Sequence, residues 1–366
     1  MTPLGLRRTV IAGGLGIALL CFGAGRAAQP DPDHHETLYV FGTLVELVIH
    51  GAEDSAAREA SAEVGALFQT LHRDWHAWEA GELGELNAAI AEGGAFRTDA
   101  RLADLLREGA ALSCLSGGRF DPAIGALVAL WGFHEDSPPE GEMPDAAAVA
   151  ALAARAPRMS DLRFDGDTVA SVNPAVQLDL GGYAKGAALD LAGALLQARG
   201  IGDAVLNAGG DVNVIGSHGD RAWRVAIRDP FVWGAVGAIS LAPGEVLYTS
   251  GNYERFFEHD GARFAHIIDP RSGWPVQEIV SVSVLDTDGS RADAAATALS
   301  VAGRHDWPQV AADMGVDSVL MIADDGTMLA TPAMMGRLEP AAGGFPQAVE
   351  IVQLPAPSAG ARCAED

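Results

Sequence analysis

Four short stretches of this chain combine glycines with carboxylates, hydroxyls and cations in ways that could do chemistry. The first is Asp179-Leu-Gly-Gly-Tyr-Ala-Lys185-Gly186. An apolar run ends on Asp179, a Gly-Gly turn follows, and a helix is expected from near Ala184. Glycines let backbone amides approach a phosphate, and a new helix offers free N–H groups at the positive end of its dipole. Lys185 adds a cation in the first turn. A strand–helix turn that merely needs flexible backbone would look the same, and the stretch is neither a Walker A loop nor a Rossmann fingerprint. The second, Asn207-Ala-Gly-Gly-Asp211, also runs into glycines and a carboxylate, and a tight hairpin turn is its plainer reading. The third is Thr249-Ser-Gly-Asn-Tyr-Glu-Arg255 followed by His266-Ile-Ile-Asp269-Pro-Arg-Ser-Gly273. It sets His, Asp and Arg at strand ends and turns, where functional groups gather, although Asp269-Pro-Arg-Ser-Gly is a turn signal in its own right. In the fourth, Arg291-Ala-Asp293-Ala-Ala-Ala-Thr297, Asp293 and Thr297 are i and i+4 on an expected helix and project to one face. A carboxylate and a hydroxyl so placed can share a hard cation such as Mg²⁺. A helix start with Asp near the dipole and a core-facing Thr is the simpler alternative.

The surrounding chain must position these groups. Leu38 to His50 alternates as a strand with Val45, Leu47 and Ile49 on one face. A helix capped by Asp54 or Ser55 carries Val64, Leu67, Phe68 and Leu71, and another follows Thr98 or Asp99 with Leu102, Leu105, Leu106 and Leu112. The stretch Trp75–Glu92 between them reads as irregular. His134 to Asp145, rich in Pro, Glu, Asp and Gly, reads as a surface linker. Beyond it, short apolar runs recur at Val176–Leu180, Ala204–Leu206, Val212–Ile215, Trp223–Ile227, Val246–Tyr248, Phe264–Ile268, Ile279–Leu285 and Ser318–Ile322. Helices are expected at Ala184–Arg199, closed by Gly200, and at Ala292–Ala302, closed by Gly303. Many strands with few helices between them indicate an α+β arrangement, with mixed or antiparallel sheets flanked by helices, rather than a βαβ repeat. Trp131, Trp223, Trp274 and Trp307 are expected in the core or at its rim. The segment after Gly343 reads as a loose, flexible tail over 341–366.

With 366 residues, 49% of them hydrophobic, the chain can bury one large core or two intimate ones. A formal net charge of −25 disfavours nucleic acid and anionic lipid as partners. Arg7 and Arg8 precede the uncharged, mostly apolar run Thr9–Gly25, and Arg26-Ala27-Ala28 and a polar stretch follow. That order reads as an export signal over 1–28 and an exported protein, at the periplasmic side or outer face of the inner membrane. The run is short for a membrane span. An uncleaved anchor, lipidation of Cys21 and a twin-arginine route are alternatives, though Leu20 fits lipidation poorly and the flanking residues fit the twin-arginine route poorly. His34 and His35, next to this signal, are expected at the surface. Cys114 and Cys363 are far apart with no metal spacing, and a buried free Cys114 is preferred to a disulfide.

The four stretches, in this order with Phe41-Gly-Thr43 and Phe120-Asp121-Pro-Ala-Ile-Gly, are much more specific together than singly. The sequence resembles the ApbE family, the bacterial FAD:protein FMN transferases, over roughly Tyr39–Gly336 within a domain of 38–340. The resemblance implies an FAD- and Mg²⁺-binding cleft between subdomains. It also implies transfer of FMN from FAD to a Thr or Ser of an acceptor, a flavin-carrying subunit of a membrane or periplasmic redox complex, with release of AMP. Carried over by position, it implies metal ligation by the Gly182 carbonyl, Asp293 and Thr297. The positions meeting FAD would be Phe41, Trp78, Arg119, Phe120, Asp121, Asp179, Lys185, Ile268 and Asp269, with His266 and Asp269 near the reacting phosphate. Asp293 and His266 would be catalytic, His266 as the candidate base. The chain departs from the family pattern with Phe41 in place of Met, Trp78 in place of Tyr and Arg119 in place of a smaller residue, which bears on the flavin pocket. Two other readings are FAD hydrolysis to FMN and AMP, and a non-catalytic flavin carrier or assembly factor. An exported solute-binding protein gives no account of the Asp293/Thr297 pair.

Overall fold

The first alternating run folds as a hairpin and not as one strand. Strands His34–Val40 and Thr43–Ile49 pair antiparallel, with Phe41 and Gly42 in the turn. Both turn residues take left-handed backbone, φ 56° at Phe41 and 69° at Gly42. A bulky residue there is costly by itself. Its ring stacks edge-on against Phe68 and His72, at 5.5 and 5.8 Å between centroids. The alternation continues through the turn, so the sequence pattern hides it. The computed structural model describes residues 33–134, 143–358 and 363. The expected signal, Cys21 and most of the expected linker lie outside these residues.

A nine-stranded sheet organises the molecule. In spatial order its strands are His34–Val40, Thr43–Ile49, Ala204–Ala208, Asp211–Ile215, Val246–Gly251, Ile279–Asp286, Ser318–Ala323, Met328–Ala330 and Val349–Ile351. Every neighbouring pair is antiparallel except the last, Met328–Ala330 with Val349–Ile351. One face is covered by helices Asp54–Trp75, Ala184–Ala198 and Gly289–Met314, whose Val64, Phe68, Leu189, Leu196, Ala295 and Leu299 are buried in one cluster with the inward residues of the strands. The other face packs on a three-stranded sheet, Trp223–Arg228, Ala235–Leu241 and Leu338–Pro340, around Trp223, Ile239, Leu241 and Met334. Residues buried on both faces explain why Ile279–Asp286 and Ser318–Ala323 are near-continuous apolar runs. The architecture is α+β, as expected.

A smaller cluster of Ile124, Leu127, Trp131, Phe133, Val149 and Ile268 joins helices Gly125–Leu130 and Ala146–Ala153 to the hairpin Phe256–His259/Ala262–Ala265. Trp131, Trp223 and Trp307 are buried and Trp274 is half-buried, in the core or at its rim as expected. No helix among the described residues is long and apolar enough to cross a membrane.

Several local expectations are corrected. Trp75–Glu92 is not irregular: the first helix runs to Trp75, and a second, Glu82–Ala91, buries Leu83, Leu86 and Ile90. Three apolar residues at i, i+3 and i+7 are a short signal between glycines. The first helix is preceded by Glu53 with no side-chain cap, whereas Asp99 does cap Ala100–Leu115 by accepting the Leu102 N–H at 2.7 Å. Val176–Leu180 forms only an isolated bridge, Ile124 to Gln177. Gly303 interrupts the last long helix with φ 69°, as its position predicted, but helical structure resumes through Met314. After Gly343, the edge strand Val349–Ile351 joins the sheet, and Cys363 forms a disulfide with Cys114 across 249 residues. Cys114 is therefore not free. Its partner is remote in sequence, and only the folded chain brings their Cα atoms to 5.9 Å.

Candidate functional site

Backbone pairing brings two of the motifs together before any side chain is considered. The Asp179 N–H donates to the Pro122 carbonyl at 2.8 Å and the Gln177 N–H to the Ala123 carbonyl at 3.2 Å. Asp121-Pro-Ala and Asp179-Leu-Gly-Gly therefore lie side by side. Asp179 accepts the Gly181 N–H at 2.9 Å on one oxygen and the Trp78 indole N–H at 3.0 Å on the other. Gly182 then lies between the Phe120 ring and the Thr297 hydroxyl. A methyl at its Cα would sit 3.3 Å from Phe120 Cε2 and 3.7 Å from Thr297 Oγ1.

Helix Ala184–Ala198 starts immediately after this turn and packs on the start of Gly289–Met314. The contact requires glycine: a Cβ on Gly186 would fall 2.2 Å from the Gly289 carbonyl oxygen. This close approach lets the Gly186 N–H donate to Asp293 Oδ2 at 3.2 Å. From the same helix turn, Lys185 Nζ reaches Asp211 Oδ2 at 2.7 Å and Asp293 Oδ2 at 3.6 Å. Asp211 is held in turn by the Thr249 N–H at 3.1 Å on its other oxygen. The preceding turn places Gly209 and Gly210 at φ 68° and 113°, with Asn207 Oδ1 accepting the Gly210 N–H at 2.9 Å. Ser250 and Thr297 place their hydroxyl oxygens 3.3 Å apart. The first, second, third and fourth stretches thus meet at one point.

Electrostatics there is dominated by burial of charge. Burial pulls the Lys185 ammonium down, but Asp211 and Asp293 more than reverse this, and Lys185 stays charged. Burial raises the Asp293 carboxyl, Lys185 opposes the rise and Asp211 adds to it. Burial and then Asp211 push Glu254 up to about 8, against Lys185 and Arg228. Three acids crowd one ammonium there, and a further cation would favour their charged forms. His266 is held down to about 4 by burial and then by Arg255, so its imidazole is neutral at pH 7. The Arg255 carbonyl lies 3.3 Å from its Nδ1. A proton placed on Nδ1 by that contact leaves Nε2 as the acceptor.

These groups line a cleft of about 2290 Å³, against roughly 300–1,000 Å³ for an ordinary small-ligand pocket. Phe41, Trp78, Arg119, Phe120, Asp121, Asp179, Gly182, Lys185, His266, Ile268, Asp293 and Thr297 all face it. Asp269 does not. Its carboxylate accepts Arg271 N–H at 2.9 Å and both ends of the Arg271 guanidinium, so the Pro-Arg-Ser-Gly segment uses this Asp to build its own turn. Asp121 lines the cleft, but its carboxylate is spent on the Ser113 hydroxyl and the Ala123 and Met159 amides at 2.9, 3.0 and 3.1 Å. Phe120 is buried edge-on against Tyr183, and Arg119 is anchored to Asp306 at 2.8 Å. Glu254 and Ser250 were not singled out from the sequence, though both lie in the Thr249–Arg255 stretch. An acid next to Arg255 reads as a surface ion pair until burial is known.

The oxygen-rich set of Asp293, Thr297 and Ser250, with Gly182 against Thr297, suits a hard dication.

Known proteins resemble this chain in sequence and in fold. The ApbE family model matches residues 41–320. A Rhodobacter capsulatus protein named FAD:protein FMN transferase is 58% identical over 362 residues, 98% of this chain and 69% of that one. A Treponema pallidum protein of the same name is 33% identical over 306 residues, 78% and 83% of the two chains. The crystal structure of the ApbE protein from Thermotoga maritima superposes with a TM-score of 0.77 at 27% identity, covering 84% of this chain and 99% of that one. The flavin transferase ApbE from Vibrio cholerae gives 0.75 at 28% identity, with 84% and 100% covered. A family match across most of the chain and a relative 58% identical over nearly its whole length place this protein in the ApbE family.

Proposed function

We propose that this protein is a Mg²⁺-dependent FAD:protein FMN transferase that joins FMN, through a phosphoester bond, to a Thr or Ser hydroxyl of an acceptor protein. The observation that carries the proposal is the meeting of Lys185, Asp211, Asp293, Thr297 and Ser250 on the lining of a cleft large enough for an extended dinucleotide. Phosphoryl transfer asks an enzyme mainly for position and charge neutralisation. In the reaction the acceptor oxygen bonds to the FMN-side phosphorus of FAD, the bond from that phosphorus to the bridging oxygen breaks, and AMP leaves with that oxygen. Asp293, Thr297 and the Gly182 carbonyl would hold Mg²⁺, with Ser250 supporting Thr297. When bound, Mg²⁺ supplies charge neutralisation at the pyrophosphate.

The chain's own residues do the rest. Lys185 brings a fixed positive charge to the phosphates. Asp211 and the Thr249 amide hold that charge in place. Trp78, fixed by Asp179, and Phe41 offer aromatic surface to the isoalloxazine. Arg119 and Ile268 would complete the FAD contacts, with Phe120 and Asp121 shaping the wall. His266 Nε2 takes the proton of the attacking hydroxyl, a role its neutral state allows. Export through the N-terminal segment 1–28 would place the activity outside the inner membrane. The acceptor would be a flavin-carrying subunit of a membrane or periplasmic redox complex.

Intact-mass spectrometry of a flavin-acceptor domain tests this. The domain is incubated with FAD, Mg²⁺ and either the wild-type protein or Asp293→Ala. An FMN-sized mass gain that needs both metal and Asp293 supports the transferase. FAD cut to free FMN with no mass gain on several acceptors would mean water is the acceptor.

A further inference from the structure

Asp33 and His218 also line the cleft, and with His50 they bring together a different chemistry. Asp33 precedes the first strand, His50 follows the second, and His218 lies in the loop after Asp211–Ile215. Asp33 Oδ1 is 2.7 Å from His50 Nδ1, and Asp33 Oδ2 is 2.8 Å from His218 Nε2. The two imidazoles stack at 4.2 Å between centroids. One ligand atom from each residue lies within 4.8 Å of the other two.

We infer that Asp33, His50 and His218 form a binding site for a transition-metal dication of the Zn²⁺ class. Two imidazole nitrogens and one carboxylate oxygen are the donors Zn²⁺ takes in sites with an open fourth position, whereas Mg²⁺ prefers oxygen alone. Metal–ligand bonds of about 2.0–2.2 Å set tetrahedral ligand atoms roughly 3.3 Å apart. The present contacts need to open by about half an ångström to reach that spacing.

The surroundings hold the ligands in place beforehand. The His50 N–H donates to the Asp203 carbonyl at 2.9 Å. The His218 loop is closed on itself by backbone bonds between His218 and Arg221, and Trp223 packs edge-on to the His218 ring at 4.8 Å. Gly219 takes φ 68° and runs so close to His50 that a Cβ there would sit 3.4 Å from His50 Nε2.

One contact opposes the ion and makes the inference sharper. Arg221 donates to His218 Nδ1 from Nε at 3.1 Å, with its other nitrogen at 2.8 Å. An imidazole that accepts at Nδ1 carries its proton on Nε2, facing Asp33. Binding a metal at Nε2 moves that proton to Nδ1 and turns Arg221 away; His50 likewise shifts its proton to Nε2. Arg221 is exposed and can swing out. The ion and Arg221 therefore compete for the tautomer of His218.

Calorimetric titration of untagged, chelator-stripped full chain with Zn²⁺, in excess Mg²⁺, tests the site. The expected result is a saturable one-to-one step that weakens at least about tenfold in His50→Ala and in His218→Ala. It should remain in Asp293→Ala and tighten in Arg221→Ala. The absence of a saturable step, or a step that persists unchanged in both His variants, would overturn the inference. Thermal unfolding checks that the variants fold. If they do not, wild-type protein with less than one equivalent of Cu²⁺ gives the answer by electron paramagnetic resonance. Splitting from two nitrogens supports the site, and its absence rejects it.

Discussion

Asp121 and Asp293 are both motif carboxylates, both buried, and both face the same cleft, yet their own hydrogen bonding differs. Burial raises the pKa of each, up to about 6 for Asp121 despite its three donors. Asp121 accepts from Ser113, Ala123 and Met159, which join the end of one helix, the following loop and the short turn at Met159–Asp161. Asp293 accepts one backbone N–H, stands 3.6 Å from Lys185 and shares its helix face with Thr297. Burial therefore does not separate the two. The count of donors already committed does: a carboxylate that accepts three bonds from its own protein has less left for a ligand.

Asp293→Ala should have the largest effect on this contrast. FMN transfer is expected to fall by about 10³-fold or more, as for loss of a main electrostatic stabiliser, while the melting temperature changes little. Asp121→Ala should do the reverse. It strands three donors at about 1–3 kcal/mol each, so denaturant titration should show a loss of several kcal/mol, with transfer per folded molecule retained. A stable, inactive Asp121→Ala would break the comparison.

Lys185→Met should reduce transfer by about 10²-fold and weaken FAD binding, measured by flavin fluorescence, because Asp211 and Asp293 then face the phosphates without their cation. His266→Asn is expected to lower transfer by about 10²-fold, the lower end for general-base loss, with FAD affinity kept. Its pH signature is separate. A histidine whose folded pKa is depressed from 6.5 to about 4 contributes stability that is present above 6.5 and is lost as pH falls toward 4. Unfolding free energy of the wild type should drop across that window, and His266→Asn should flatten the drop.

Local patterns announced much of the fold. The strands around Ala204–Ala208, Asp211–Ile215 and Ile279–Asp286, the helices from Ala184 and up to Gly303, and the Asp99 cap are all readable from periodicity and punctuation. The hairpin at Phe41 escaped because its turn uses an aromatic held by tertiary packing. Helix Glu82–Ala91 escaped because two turns carry too few periodic residues. In the cleft, the types of the residues that meet there were legible, but where the Asp269 carboxylate turns was not. Its own Arg271 captures it, and a turn signal and a ligand signal are identical in one dimension.

The sequence by itself determined which groups are available: Lys185 at a helix start, Asp293 and Thr297 one turn apart, and glycines wherever backbones must meet. These depend on local spacing, which the chain's own geometry enforces. Only the tertiary structure decided which groups face one another. The Lys185–Asp211 pair, the Asp33–His50–His218 cluster and the Cys114–Cys363 bond each join residues far apart in the chain. Such contacts follow from the order and register of the strands, and no local pattern encodes those, because they are fixed by burial of the sheet's two faces as a whole.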